Sequence, residues 1–272
     1  NGLFTIIDVT DPEEPTTVLA PDEEEREDRR ATFHAISPDG QYMLGIENGS
    51  AFLYSMASGE RIEQLDTQGY TVSHPDWSPD GEDVLLVRST GSWMSDMDFE
   101  GGEIIQIPFN DGEWGAPDVL VERSDMYNNY YPAYSPDGEW IAFNRSVETD
   151  IEHEGQETRR SSTCKSNPSA EVWLMRRDGS DWVRLQAANG QGELKNSFPR
   201  WGPLPDDDVL WLAFSSVRPY TVDPSFNELP QIWITAIDPN KVESGEDPSS
   251  APFWLPGQET QSDNHLPVWW SK

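Results

Sequence analysis

Residues 131–143 read YPAYSPDGEWIAF, in which a Ser-Pro-Asp-Gly tetrapeptide joins two apolar, aromatic-rich runs. The same tetrapeptide occurs at 37–40, within FHAISPDGQYMLGI, and at 78–81, within HPDWSPDGEDVLLV. Asp-Gly is a favoured pair for a tight hairpin turn, because Gly accepts a positive φ and Asp can hydrogen-bond its own backbone. Three such turns in the same setting predict a repeated unit built on a β-hairpin.

Each hairpin is followed by sequence that predicts a third and a fourth strand. In AFLYSMASGERIEQL (51–65) these strands are joined by Ser-Gly, and in EVWLMRRDGSDWVRL (171–185) they are joined by Arg-Asp-Gly-Ser. SWMSDMDFEGGEIIQI (92–107) predicts the same pair joined by Gly-Gly. The repeated unit is therefore predicted to be a four-stranded antiparallel sheet.

A fourth copy lacks the tetrapeptide but keeps an aromatic-Pro-x-Trp first strand, at 196–214, and a third strand at 231–239. The chain ends with one more such first strand, at 264–272, and begins with what reads as a third and a fourth strand, at 3–19. These leftover halves are complementary. Pairing between them would close a ring and remove exposed sheet edges.

The predicted fold is all-β: a β-propeller with four complete blades of four antiparallel strands and a fifth blade composed of the N- and C-terminal strands. An incomplete six- or seven-bladed ring is the alternative. We expect 1–272 to form a single domain that lacks its true N-terminus, because the first residues read as mid-domain sequence. The predicted blades are approximately 31–70, 71–125, 126–190 and 191–262, with a closing blade of 1–20 and 264–272.

Two long insertions, 146–170 and 216–230, separate the second and third strands of neighbouring units. Insertions at equivalent places emerge on one propeller face, where a rigid scaffold can present them for function; tolerated filler is the alternative. Arg218 and Tyr220 lie on the second insertion and are predicted partner-binding residues, because Arg and Tyr are enriched at interface hot spots. The alternative is that both residues pack the loop onto its blade.

Asparagine recurs three positions before the first-strand proline, as Asn129, Asn196 and Asn264. These amides are predicted either to satisfy loop backbone groups or to ring the mouth of the channel and bind a ligand. The only cysteine, Cys164, lies in SSTCKSNPS, which reads as an exposed loop.

The formal charge is −32, which disfavours nucleic acid and anionic membrane surfaces as partners. No apolar run predicts direct membrane insertion. His34, His74 and His265 could approach an axial channel, but no paired histidine spacing supports a metal cluster. The acidic runs at 11–15, 22–30 and 206–208 do not follow the calcium-hand spacing. We therefore predict no cofactor and no metal site, with weak calcium binding left open.

The assembled pattern, aromatic-Pro-x-Trp-Ser-Pro-Asp-Gly-x-x-aliphatic-aliphatic-Phe, resembles the WD-like propeller repeats of the TolB type. Residues 74–81 and 131–138 carry it most fully, whereas 33–40 has His34 where proline is usual. The fourth copy has Gly202-Pro203 and an acidic insertion in place of the turn. The resemblance covers nearly the whole chain.

Proteins with this repeat include envelope scaffolds, propeller modules attached to serine peptidases, and some polysaccharide lyases. The peptidase module would bring a Gly-x-Ser-x-Gly elbow, which this sequence lacks. The resemblance thus implies a non-enzymatic scaffold or accessory subunit of a larger assembly, periplasmic or extracellular, that binds a protein partner through one propeller face or the insertions 146–170 and 216–230. The alternatives are a glycan lyase or hydrolase with its site in the channel, and the propeller module of a serine peptidase whose catalytic domain is absent.

Overall fold

The computed structural model describes residues 31–110, 112–151, 159–203, 209–220 and 229–269, and the backbones of two strands that precede them. The acidic runs at 11–15, 22–30 and 206–208 lie outside the described residues, as do 152–158 and 221–228 within the predicted insertions. The described part is nearly all β. Its helices are two single turns, α1 (Gln186–Asn189) and α2 (Asn240–Glu243).

The first two strands, β1 (Ile6–Asp8) and β2 (Thr16–Leu19), pair with each other in antiparallel orientation. Four larger antiparallel sheets, blades 1 to 4, then follow in chain order. Blade 1 contains β3 (Phe33–Ile36), β4 (Tyr42–Glu47), β5 (Ser50–Ser55) and β6 (Arg61–Gln64). Blade 2 contains β7 (Thr71–Trp77), β8 (Asp83–Ser89), β11 (Gly102–Asn110) and β13 (Asp118–Val121), with β12 (Glu113–Trp114) also paired to β11.

Blade 3 contains β14 (Tyr127–Tyr134), β15 (Trp140–Val147), β18 (Glu171–Arg176) and β19 (Val183–Arg184). Blade 4 contains β20 (Ser197–Trp201), β21 (Leu210–Ser216), β22 (Gln231–Ile237) and β23 (Phe253–Trp254). The predicted all-β propeller with four complete blades is confirmed. The first strands of successive blades, β3, β7, β14 and β20, contact one another and form the inner layer.

Among the described residues, the two chain ends show only part of the predicted closing blade. β1 and β2 form the antiparallel pair expected of its third and fourth strands. Residues 264–269 carry no strand, and the described residues show no pairing between them and β1 or β2. The closing blade of 1–20 and 264–272 therefore stays a prediction.

Blade 2 corrects one reading of the sequence. Its third strand starts at Gly102, so 92–107 is not a complete third-and-fourth pair. Residues 90–101 instead carry a small hairpin, β9 (Trp93–Ser95) with β10 (Asp98–Phe99). The insertion of blade 3 carries a similar pair, β16 (Thr149–Ile151) with β17 (Arg159–Ser161). Blades 2, 3 and 4 thus all have an insertion between their second and third strands.

Each Ser-Pro-Asp-Gly tetrapeptide forms the turn between the first and second strands of its blade. In blade 3 the Ser135 hydroxyl donates to the Asp137 carboxylate and accepts the backbone N–H of Trp140 at 2.9 Å. Gly138 has a φ of 75°, a conformation that glycine adopts without strain. Equivalent bonds occur in the turns at 37–40 and 78–81. The aspartates of these turns are therefore structural.

The hydrophobic core lies between neighbouring blades. One buried cluster runs through blades 1 to 3 and includes Leu44, Leu85 and Phe143; a second joins blades 3 and 4 and includes Leu174 and Phe214. Each sheet buries apolar side chains on both faces, which explains the near-continuous apolar runs of the second strands.

Tryptophan side chains at the ends of first strands tie one blade to the blade before it. The indole Nε1 of Trp77 donates to the carbonyl of Ala35 at 3.1 Å, and that of Trp201 donates to the carbonyl of Ala133 at 3.0 Å. In both cases the acceptor is a first-strand carbonyl of the preceding blade. The Trp of the aromatic-Pro-x-Trp pattern therefore sets the spacing between blades.

Candidate functional site

The residue before the proline of each first-strand segment has a left-handed backbone conformation. The φ angle is 52° at His74, 50° at Tyr131, 56° at Phe198 and 53° at Leu266. The strand register shifts at this point in blades 2, 3 and 4. Such a shift is a β-bulge, which re-aims the side chain at the bulged position.

The re-aimed side chains pack together where the first strands meet. Ring centroids are 3.9 Å apart for His74 and Tyr131 and 4.2 Å apart for Tyr131 and Phe198. Phe33, at the equivalent position of blade 1, lies 4.6 Å from the His74 ring. We call these four side chains the aromatic layer. The layer fills the space between the described first strands at this level.

His74 is a buried member of this layer. Its Nδ1 accepts the backbone N–H of Tyr131 at 3.3 Å, whereas its Nε2 has no hydrogen-bond partner among the described residues. Burial, together with the positive charge of Arg200, holds the pKa of His74 well below its usual value. His34, by contrast, is exposed on β3. The described residues contain no group of three His, Cys, Asp or Glu side chains that could hold a metal ion.

Two charged first-strand residues follow members of the aromatic layer. Asp76 in blade 2 lies two residues after His74, and Arg200 in blade 4 lies two residues after Phe198. Asp76 Oδ2 accepts the backbone N–H of Tyr134 at 2.8 Å, a bond that joins blade 2 to blade 3. Burial raises the pKa of Asp76 to about 6, and the positive charge of Arg200 opposes that shift.

A cavity of about 360 Å³ lies over the aromatic layer, on the side from which the insertions emerge. Its floor includes Tyr131, Phe198 and Leu266. Its walls include Met97 of the blade 2 insertion, residues 164–167 of the blade 3 insertion and Pro230 at the end of the blade 4 insertion. We call this space the axial cavity. It is at the small end of the roughly 300–1,000 Å³ range of ligand sites.

Cys164 lines the axial cavity but is buried, so the prediction of an exposed loop cysteine is wrong. Its thiol donates to the Met97 carbonyl at 3.4 Å, and its backbone N–H donates to the Phe99 carbonyl at 3.2 Å. These bonds dock the blade 3 insertion on the blade 2 insertion. Burial raises the pKa of the Cys164 thiol, so the thiolate is scarce near neutral pH and the group is a poor nucleophile.

Lys165, Lys195, Asp263 and His265 are the charged and titratable side chains at the edge of the axial cavity. Within the described residues, neither lysine forms an ion pair. His265 Nε2 lies 4.0 Å from Asp263 Oδ2, and its ring lies 5.6 Å from that of Phe198. Burial lowers the pKa of His265. The edge therefore carries two lysines against one aspartate in a chain of net charge −32.

The three predicted asparagines all bond to backbone groups. Asn129 Nδ2 donates to the Gly102 carbonyl at 3.0 Å, and Asn196 Nδ2 donates to the Asn189 carbonyl at 3.0 Å. Asn264 Nδ2 donates to the carbonyls of Glu259 and Ser262 at 2.8 and 3.3 Å. All three lie on the insertion side of the propeller. Their bonds satisfy backbone groups, which is the first of the two roles that the sequence predicts. Asn129 Oδ1 is buried without a partner among the described residues.

Arg218 and Tyr220 also adopt the packing alternative. Arg218 is buried and its Nη2 donates to the Ala188 carbonyl at 2.7 Å and to Asn196 Oδ1 at 2.8 Å. Burial lowers the pKa of this guanidinium to about 10. The ring of Tyr220 stacks on Trp254 at 5.3 Å. Partner binding by Arg218, Tyr220 or the asparagines stays a prediction.

Comparison with known proteins identifies the family. Residues 30–170, slightly more than half of the chain, match the family described as dipeptidyl peptidase IV (DPP IV) N-terminal region. The chain belongs to the DPP IV N-terminal region family. The match covers blades 1 and 2 and the first two strands of blade 3.

This DPP IV N-terminal-region chain is 32% identical to the uncharacterized peptidase YuxL of Bacillus subtilis over 151 residues, 45% of this chain and 23% of the relative. It is 24% identical over 247 residues to an uncharacterized protein of Agrobacterium fabrum, covering 86% of this chain and 70% of that protein. It therefore spans about a quarter of the length of the Bacillus peptidase.

Among solved structures, the complex of the GH93 α-L-arabinofuranosidase of Fusarium graminearum with arabinobiose superposes with a TM-score of 0.51 at 13% identity, covering 84% of this chain and 67% of that chain. This similarity supports the propeller fold alone. Within the described residues of this DPP IV N-terminal-region chain, no helix is both long and apolar enough to cross a membrane.

The sequence contains a local signal for the floor of the axial cavity. Its floor residues Tyr131, Phe198 and Leu266 stand immediately before prolines, and the first two form the aromatic-Pro pair of the repeat. The lysines carry no such mark, because Lys165 and Lys195 are 30 residues apart in the chain and line the same cavity only through tertiary packing.

Proposed function

We propose that this chain is a non-catalytic, TolB-type propeller that binds a protein partner with the face formed by its insertions. The observation that carries the proposal is the axial cavity, which is lined by the insertions of blades 2, 3 and 4 and has a floor that includes Tyr131, Phe198 and Leu266. A concave, largely apolar site with a few polar groups at its edge is the usual form of a binding site. It lies on rigid blades, as binding loops commonly do.

The titratable groups of the axial cavity favour binding over chemistry. The Cys164 thiol is buried and protonated. His265, which lines the same cavity, forms no hydrogen bond with a hydroxyl or thiol of the lining among the described residues. Nucleophilic catalysis requires an activated nucleophile beside an oriented base. The charged groups at the edge suit recognition of a partner's polar or charged atoms.

The proposed partner is a protein of the bacterial envelope or the extracellular space, where the chain would act as a scaffold or an accessory subunit. The TolB-type repeat pattern supports this location. The charge of −32 supports a protein partner over a polyanion, since phosphates would be repelled.

Two methionines offer a matched test of the binding face. Met97 is 40% exposed and lines the axial cavity, whereas Met126 is 67% exposed and does not line it. Met97→Trp should fill the cavity and Met126→Trp should not. The tagged protein and both variants would be purified from the producing cell and their bound proteins identified by mass spectrometry. A partner that stays with Met126→Trp and is lost with Met97→Trp supports the proposal, and one retained equally by both contradicts it.

A second candidate function is the propeller module of a larger serine peptidase. The match to the DPP IV N-terminal region and the similarity to a protein named as a peptidase favour it. In that case an antibody against this domain should recognise, in the producing cell, a longer polypeptide that a fluorophosphonate serine-hydrolase probe labels. Absence of label on the polypeptide that carries this domain would count against the peptidase.

A further inference from the structure

The axial cavity has a closed floor. The rings of Tyr131 and Phe198 are 4.2 Å apart, and Tyr131 in turn packs against His74 at 3.9 Å. Tyr131 and His74 are 2% and 3% exposed, so this floor is densely packed. At this level the packed rings of the described blades block a polypeptide that enters from the insertion side, and a chain end fits the space most simply.

The volume of the axial cavity matches a small segment. At about 360 Å³, and with each water taking up roughly 30 Å³ of liquid, the space corresponds to about a dozen waters. That is room for one apolar side chain with its backbone. The surfaces of Met97, Phe198 and Leu266 provide the apolar contact.

The edge of the cavity carries positive charge, whereas the chain as a whole is strongly negative. The sequence contains four lysines, and two of them, Lys165 and Lys195, line this one site. Neither forms an ion pair with a described residue. The only described carboxylate in the lining, Asp263, lies next to His265. The edge can therefore bind a carboxylate from outside the chain by charge-assisted hydrogen bonds.

An apolar group and a carboxylate separated by a single carbon atom describe the last residue of a polypeptide. We propose that the axial cavity binds the C-terminal residue of a partner protein, with the apolar side chain against Phe198 and Leu266 and the α-carboxylate between Lys165 and Lys195. The inference rests on the proposed binding function and adds the chemical class of the ligand. Capture of a chain end by its terminal charge is a recurrent mode of peptide recognition.

The probe is a pair of fluorescein-labelled hexapeptides, Gly-Ser-Gly-Ser-Gly-Leu, one with a free C-terminal carboxylate and one with a C-terminal amide. Fluorescence anisotropy with the full chain measures the affinity of each. The free acid is expected to bind at least tenfold more tightly than the amide. Equal affinities, or no saturable binding of the acid, would overturn the proposal.

Single substitutions locate the effect. Lys165→Gln and Lys195→Gln should each weaken binding of the acid several-fold and leave the amide unchanged, while Lys241→Gln, on α2 and outside the cavity lining, is the matched control. Met97→Trp should abolish binding of the acid, and Met126→Trp should not. A lysine effect equal to that of Lys241→Gln would also overturn the proposal.

Different results would contradict the chain-end ligand and the binding face. If Met97→Trp releases the cellular partner but the acid and the amide bind alike, the binding face stands and the chain-end ligand is wrong. If the cellular partner is retained by Met97→Trp, the proposed function itself is wrong, whatever the peptides do.

Discussion

The indole Nε1 of Trp269 donates a hydrogen bond of 3.1 Å to the carbonyl of Arg200. This is the bond that Trp201 makes to Ala133 one blade earlier. Leu266 also shares the positive φ of the residues before the other first-strand prolines. Residues 264–269 therefore lie against blade 4 as the first strand of a following blade would, although they pair with no described strand.

The Trp269 bond predicts that the C-terminal segment contributes to stability. Trp201→Phe leaves a buried carbonyl unpaired and should lower the free energy of unfolding by about 2 kcal/mol. Trp269→Phe should cost about 1 kcal/mol, because its half-buried site admits water to the freed carbonyl. Denaturant unfolding measures both, with Trp211→Phe as control, since Trp211 is 39% exposed. A cost for Trp269→Phe no greater than that of the control would show that the segment is not docked.

The Asp96 carboxylate, in the β9–β10 hairpin of blade 2, is hydrogen-bonded to the turn between β4 and β5 of blade 1. Asp96 is buried and accepts the backbone N–H groups of Asn48 and Gly49 at 3.1 and 2.6 Å and the Thr32 hydroxyl at 2.7 Å. Asp96→Ala would leave these donors unpaired and should destabilise the protein by about 3 kcal/mol. Thermal unfolding would measure the change.

The matched control for Asp96 is Asp125→Ala, whose side chain is 92% exposed. It should change stability by less than about 0.5 kcal/mol. Equal effects of the two substitutions would mean that the Asp96 bonds do not stabilise the fold.

Arg218 provides a test of packing against partner binding. Its guanidinium spans the Ala188 carbonyl and the Asn196 side chain, and its Cζ lies 5.1 Å from the centroid of the Trp233 ring. Lysine cannot reproduce this forked arrangement. Arg218→Lys should therefore cost about 2–4 kcal/mol in urea unfolding, as expected when a buried charge loses partners.

Arg123→Lys is the control for Arg218, because the Arg123 side chain is 48% exposed. It should be nearly neutral. If Arg218→Lys were equally neutral, the buried packing role would be wrong and a surface role would regain support.

Asp76 predicts a specific pH dependence of stability. Its pKa is raised from 3.8 to about 6 in the folded protein, so between these values the folded state binds more protons than the unfolded state. Stability contributed at this site is therefore lost as pH rises from about 4 to about 6. Asp76→Asn removes the titration, so the melting temperature of the variant minus that of the wild type should increase from pH 4 to pH 7.

Repulsion among the other carboxylates changes with pH in the wild type and in Asp76→Asn alike, so it cancels in the difference between their melting temperatures. A difference in melting temperature that stays constant across this pH range would show that Asp76 is not buried in the way described.

The sequence predicts those features of the fold and the site whose contacts join residues close together in the chain. The hairpin turns follow from Ser135, Asp137 and their equivalents, whose bonds span only a few residues, and the four blades follow from those turns. The burial of Cys164 does not follow from local sequence, because the Met97 region that shields it is far away in the chain. For Arg218 the sequence leaves partner binding and packing open for the same reason: its partner Asn196 lies two β-strands earlier in the chain.

The axial cavity also has one part that short-range sequence patterns predict and one part that they do not. The floor residue Phe198 could be found from its position before a proline, which repeats in each blade. Lys165 lies in the blade 3 insertion and Lys195 in the connection between blades 3 and 4, so their place in one lining depends on tertiary packing that no short-range pattern encodes.

The most direct test of the account is site-specific photo-crosslinking in the producing cell. A p-benzoylphenylalanine would replace Asp263, which is exposed at the edge of the axial cavity, or Asp39, which is exposed in a turn at the opposite end of the blades. We predict a crosslinked partner from position 263 and none from position 39. Crosslinks from position 39 alone, or equal crosslinks from both positions, would contradict it.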